Sequence, residues 1–128
     1  MKLTEKCKKD FEKWYFKHHV TTTKKFKDLY PHEYHEIYDW FYGIDLSFQY
    51  GVYVDFFDSV GIIIDIQPLL DYDDKQYTNI YSVYGNIIKL NFPQEENYNR
   101  NPFECKTRQE ARTKAIEKAD EIFNSLNK

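Results

Sequence analysis

Residues 50–66 run Tyr-Gly-Val-Tyr-Val-Asp-Phe-Phe-Asp-Ser-Val-Gly-Ile-Ile-Ile-Asp-Ile, and no other stretch limits the fold as tightly. Read with period two, Val52, Val54 and Phe56 share one face, joined by Ile62, Ile64 and Ile66 on the return. Tyr53, Asp55, Phe57, Ile63 and Asp65 take the other. Alternation in β-branched and aromatic residues is the mark of a strand, and Asp58-Ser59-Val60-Gly61 has turn chemistry. The stretch is therefore predicted to be a β-hairpin that the rest of the chain covers.

Around it the chain reads as follows. Thr4 can cap a first helix to about His19, with Leu3, Cys7, Phe11, Trp14 and Tyr15 at helical spacing. Lys6, Lys8, Lys9, Lys13 and Lys17 make the opposite side basic, which for most helices is simply a solvated face. Val20 to Tyr30, with three threonines and then Lys24, Lys25 and Lys27, is a connector or a short edge strand. Tyr34, Ile37, Tyr38 and Phe41 predict a second helix from about Pro31 to Tyr42, with a strand as the rival, and Gly43 ends it. Ile44 to Gln49 leads into the hairpin, and Gln67-Pro68 closes its second strand. Leu69 to Gln76 is an acidic loop. Tyr77 to Tyr84 and Asn86 to Phe92 form a second hairpin, and Pro93 to Lys106 is a polar connection.

The last helix has the clearest signals. Thr107 and Glu110 have capping-box spacing, and Ala111, Ala115, Ala119, Ile122, Phe123 and Leu126 form one stripe. The expected fold is one α+β domain over residues 1–128 in the order α-(α)-ββββ-α. It has an antiparallel sheet of about four strands, with the N-terminal and C-terminal helices packed on one face.

A chain of 128 residues with 41% hydrophobic content is long enough to bury a core unaided. Its net charge of −3 does not suggest a protein that coats nucleic acid. The first ten residues hold no apolar signal region, and Ile62 to Ile64 is the longest aliphatic run. The expectation is a cytoplasmic protein, without membrane contact, whose Cys7 and Cys105 stay reduced. Phe, Tyr, Ile, Asn and Lys are plentiful while Gly, Ala, Arg and Pro are scarce. That bias is typical of AT-rich genomes, many mobile elements and phages among them, and it bears on origin alone.

Charge is unevenly placed. Residues 1–27 carry nine lysines and three acids, whereas residues 28–74 carry eleven acids and no Lys or Arg. Twelve aromatics share that 47-residue acidic span. Aromatics anchor interfaces and carboxylates steer the encounter, so such a surface suits a protein partner with a basic surface. Tyr34, Tyr38, Asp39, Trp40, Asp45 and Tyr50 are the candidate partner-binding residues. The competing account makes the aromatics core and the acids mere solubilisers.

Sequence support for chemistry is thin. Asp55, Asp58 and Asp65 flank the expected hairpin, where paired carboxylates can hold Mg²⁺, but they face the solvated side and no Lys, Arg or His stands near them. Asp71 to Asp74 looks like the start of a calcium loop, without the mid-loop glycine or the closing glutamate. His32 and His35 could join His18, but no metal-ligand spacing supports them. With no phosphate loop and no nucleophile elbow, a non-catalytic protein without metal or cofactor is expected.

The last helix, Thr-Arg-Gln-Glu-Ala-Arg-Thr-Lys-Ala-Ile-Glu-Lys-Ala-Asp-Glu-Ile-Phe-Asn over residues 107–124, resembles the final helix of double-stranded-RNA-binding domains. That family begins this helix with a Lys-Lys-x-Ala-Lys pattern and continues it with spaced alanines. The resemblance covers 18 of 128 residues, and Gln109 stands where the family has its second lysine. It implies that Arg108 and Arg112, with Lys106 nearby, would grip phosphates across a groove. Duplex nucleic-acid binding is therefore the alternative function.

Overall fold

The computed structural model of the chain describes residues 1–20, 34–71, 76–85 and 103–127. Helix α1 spans Glu5–Tyr15 and continues into a π-helical turn, Phe16–Val20. Helices α2 (Tyr34–Gly43) and α3 (Leu46–Ser59) follow. Strands β1 (Ile62–Asp71), β2 (Gln76–Gly85) and β3 (Phe103–Cys105) form an antiparallel sheet in the order β1-β2-β3. Helix α4 (Arg108–Leu126) follows the sheet. The α+β class holds, with three strands among the described residues. The expected strand at Asn86 to Phe92 lies outside them, as does the connector after Val20.

The first arm of the expected hairpin is helical. Residues 46–59 form α3, and their buried positions are Gln49, Val52, Tyr53, Phe56 and Phe57. Those intervals of three, four, seven and eight are the helical period. The stretch holds enough apolar residues to satisfy both periods, so the polar positions decide. Ser47, Gly51, Asp55 and Asp58 fall together on the exposed side only if the chain is helical. Asp45 supplies the start, accepting a hydrogen bond from the Ser47 N–H at 2.7 Å. Gly61 supplies the stop. At φ 84° it occupies the left-handed region that lets the chain leave α3 and enter β1.

The second arm, from Ile62, is a strand as expected. Ile62 is buried, Ile64 and Ile66 pack against the core, and Ile63 is exposed. The strand does not stop at Pro68, which pairs with Asn79, and β1 and β2 stay in register from Ile62↔Gly85 to Asp71↔Gln76. Among the described strands β1 has a neighbour on one side only, and an edge strand tolerates a proline. Residues 69–71 and Gln76 thus belong to strands rather than to an acidic loop.

Helix α4 lies against all three strands, and α1 packs on α3 and α4. Thr107 caps α4 by accepting from the Glu110 N–H at 3.1 Å. Ala111, Ala115 and Ala119 are fully buried, and such short side chains let helix and sheet approach closely. Most of the core aromatics surround Phe11. Its ring lies 4.9 Å from Tyr53, 5.3 Å from Phe41, 5.4 Å from Phe56 and 5.8 Å from Tyr15. One aromatic from α1 thereby joins α2 to α3.

The N-terminus of α1 is tied to α4 by a polar knot. Thr4 does not cap its own helix. Its backbone N–H and its hydroxyl donate to the two oxygens of Asp120 at 2.8 and 2.6 Å. Asn124 takes over the cap, accepting from the Cys7 N–H at 2.9 Å and donating to the Thr4 carbonyl at 3.2 Å. Asp120 and Asn124 are both buried. Glu5, inside the knot, is held at φ 46°, a conformation costing about 1–2 kcal/mol for an L residue.

Candidate functional site

The corner between α2 and α3 carries several of the exposed residues of the acidic span. It is firmly built. Buried Gln49 donates through Nε2 to the carbonyls of Tyr42 (3.1 Å) and Ile44 (2.9 Å), closing the turn from inside. Around it in the chain Trp40 is 60% exposed, Phe48 54% and Leu46 44%. Asp39 and Asp45 stand exposed beside them in the chain. Three large apolar side chains within nine residues thus face water.

The six candidate partner-binding residues divide. Asp39, Trp40 and Asp45 are exposed. Tyr38 is half-buried and donates its hydroxyl to the Glu12 carbonyl at 3.2 Å, which ties α2 to α1. Tyr50 is half-buried beneath Arg112. The side chain of Tyr34 lies outside the described part of the structure. The competing account holds for Phe41, Tyr53, Phe56 and Phe57, which are core. Sequence reasoning missed Leu46 and Phe48. Reading Asp45 as a helix cap rather than part of a lead-in to a strand would have placed both on the first exposed turn.

The basic start of α4 adjoins this corner. The Arg112 guanidinium sits 4.9 Å over the Tyr50 ring and donates to the Ser47 hydroxyl at 3.0 Å. Lys106 and Arg108 are exposed. The two surfaces separated by sequence are neighbours in space, with Arg112 clasping α3 to α4.

The carboxylates singled out for metal do not converge. Asp55 and Asp58 are exposed on α3, and Asp65 on β1 accepts from Gln67 Nε2 at 3.0 Å. Among the described residues no three His, Cys, Asp or Glu side chains are placed to hold a metal ion. His18 and His19 pack on Trp14, both with ring centroids at 5.3 Å. His32, the His35 side chain and residues 72–74 lie outside the described part. Cys7 and Cys105 are free and buried, and burial foremost raises both thiols above 9.0. A thiol held protonated is a poor nucleophile. No described helix is long and apolar enough to cross a membrane.

The core carries a pH liability. Burial foremost, then the Cys7 thiol and the Asp120 and Glu12 carboxylates, pushes the Tyr53 phenol far above 10.0. Burial and Asp120 do the same to Cys7. The unfolded chain ionises these groups first, so it binds fewer protons than the native state once the pH exceeds 9–10. Stability should be unaffected by these groups below pH 9. It should then fall with rising pH by about 1.4 kcal/mol per pH unit for each group fully engaged. Urea titrations from pH 7 to 11 would show this. The Tyr53 hydroxyl is also buried without a hydrogen-bond partner among the described residues. Tyr53→Phe should therefore stabilise the protein by about 1–2 kcal/mol at pH 7 and flatten the alkaline decline.

In class, the chain is a small α+β protein, and among the described residues the α2–α3 corner carries exposed apolar side chains with acids beside them in the chain. Comparison of the chain with protein-family models, with curated proteins and with solved structures found no match. Helices α2 and α3 stand between the first helix and the sheet, so the chain does not run from α1 directly into strands.

Proposed function

We propose that this is a non-catalytic protein-binding module, acting through the α2–α3 corner on a partner with a basic surface. The observation that carries it is the exposure of Trp40, Leu46 and Phe48 beside Asp39 and Asp45, in a span without a single cation. Large apolar side chains left in water mark contact surfaces, and carboxylates close by in the chain select a cationic partner. The compositional bias fits a phage or mobile-element accessory protein that acts on a host factor. The expected result is that immobilised protein enriches a basic partner from host extract, and that Trp40→Ser with Phe48→Ser abolishes capture. An unchanged capture profile, with circular dichroism showing a folded variant, refutes the proposal.

Duplex nucleic-acid binding remains the second reading, favoured by the exposed Lys106 and Arg108 at the start of a 19-residue helix. Titration with a ~20 bp RNA duplex and its DNA counterpart at two salt concentrations separates the two. Phosphate-driven binding weakens steeply with salt. Salt-sensitive binding lost in Lys106→Ala with Arg108→Ala would replace the protein-binding proposal.

A further inference from the structure

The exposed stripe of α3 runs from Phe48 through Gly51 to Asp55 and Asp58, and each of these choices works against the helix that carries it. Phe48 leaves an aromatic ring in water. Gly51 sits in mid-helix, where alanine is worth about 1 kcal/mol more, although a side chain there would meet nothing within 4 Å. Asp55 and Asp58 lie a turn apart at the C-terminal end, where the helix dipole disfavours anions and the last turn holds no basic residue. Neither forms an ion pair among the described residues. Partial burial, and then the neighbouring Asp55, raise the Asp58 carboxyl above its ordinary 3.8. Four locally unfavourable residues on one face, with nothing among the described residues to offset them, point outward.

We infer that this stripe docks an amphipathic basic helix of a second protein, seated close over Gly51, with apolar residues toward Phe48 and Lys or Arg toward Asp55 and Asp58. The inference rests on the protein-binding proposal and gives it a partner class. A missing Cβ lets two helix backbones approach closely, as small residues do at other helix crossings. Phe48 to Asp58 spans about 15 Å, so some three turns of partner helix suffice. Apolar and acidic residues occupy opposite ends of the stripe, which sets the direction of the incoming helix. A second copy of this chain fits less well. Its lysine-rich α1 face is a different surface from the stripe, and such head-to-tail contacts run on into rings or open polymers rather than a closed pair.

The probe is a labelled 18-residue amphipathic helical peptide of Leu, Ala and Lys, set against a scrambled peptide of the same composition. Fluorescence anisotropy should show the helical peptide binding at least tenfold tighter, with the Gly51 amide among the most shifted resonances. Gly51→Trp, and separately Asp55→Asn with Asp58→Asn, should each weaken it at least tenfold. Gly51→Ala and the double Asn variant should melt at higher temperature than the parent. Equal affinity for the two peptides, or binding unmoved by the Gly51→Trp and Asn variants in folded protein, overturns the inference. Self-association relieved by Asp55→Asn with Asp58→Asn overturns it in favour of a second copy. If the inference fails while capture still depends on Trp40 and Phe48, the protein-binding proposal stands. If both fail, the corner is not an interface.

Discussion

Phe11→Ala should destabilise the protein by about 3–5 kcal/mol, read as a shift of the urea midpoint at constant slope. Phe11 is fully buried and its ring meets Trp14, Tyr15, Phe41, Tyr53 and Phe56 within about 6 Å. These partners come from α1, α2 and α3, so no single element can close around the space left behind. The cavity term then adds to the lost transfer energy. Domains of this size are stable by only about 5–15 kcal/mol, so the variant should be close to unfolding at 37 °C. Phe11→Leu retains most of the volume and should cost less than half as much. A similar loss for both would mean that ring geometry, rather than volume, matters at this centre.

Asp120→Ala should cost about 2–4 kcal/mol, with the loss concentrated at the α1 terminus. The substitution removes the acceptor for the Thr4 N–H and the Thr4 hydroxyl, and a further one for Asn124 Nδ2 at 3.3 Å. Asn124 is then released from the position in which it caps the Cys7 N–H. Hydrogen exchange should show residues 4–8 opening well below the global free energy, while the sheet amides keep theirs relative to the new stability. A double-mutant cycle of Thr4→Ala with Asp120→Ala should give a coupling of about 1 kcal/mol or more. Additive losses would place the stabilisation in the backbone bond alone.

The helices at either end were legible because their signals are local. Thr107-x-x-Glu110 and the alanine stripe of α4 are separated by fixed helical intervals, and so are Cys7, Phe11 and Tyr15 in α1. The segment 46–59 was not legible in the same way. Its β-branched and aromatic residues favour strands as isolated side chains, and Val52-Tyr53-Val54 satisfies alternation. Phe11, brought by α1, rewards burial of Tyr53 and Phe56 together, residues three apart that share a face only in a helix. Pro68 misled for a related reason: whether a proline ends a strand depends on whether that strand lies at an edge.

The corner was legible in part. Its acids and Trp40 stand out in any count of charge along the chain, because long-range segregation needs no coordinates to see. The division of the aromatics was hidden. Tyr38 and Tyr50 look no different from Trp40 in sequence, yet one bonds the Glu12 carbonyl and the other lies under Arg112. These contacts join residues 26 and 62 positions apart, and nothing local to either tyrosine encodes them.

By itself, then, the sequence determined the α+β class, the two terminal helices, the strand character of residues 62–66 and 77–84, and a cation-free aromatic span. Each of these follows from intervals and composition within a few turns of chain. Only the tertiary structure decided that residues 46–59 are helix, that Asp120 and Asn124 cap α1 from the far end of the chain, and which aromatics face water. Those outcomes depend on which distant side chains arrive to share burial, and burial is the larger energy.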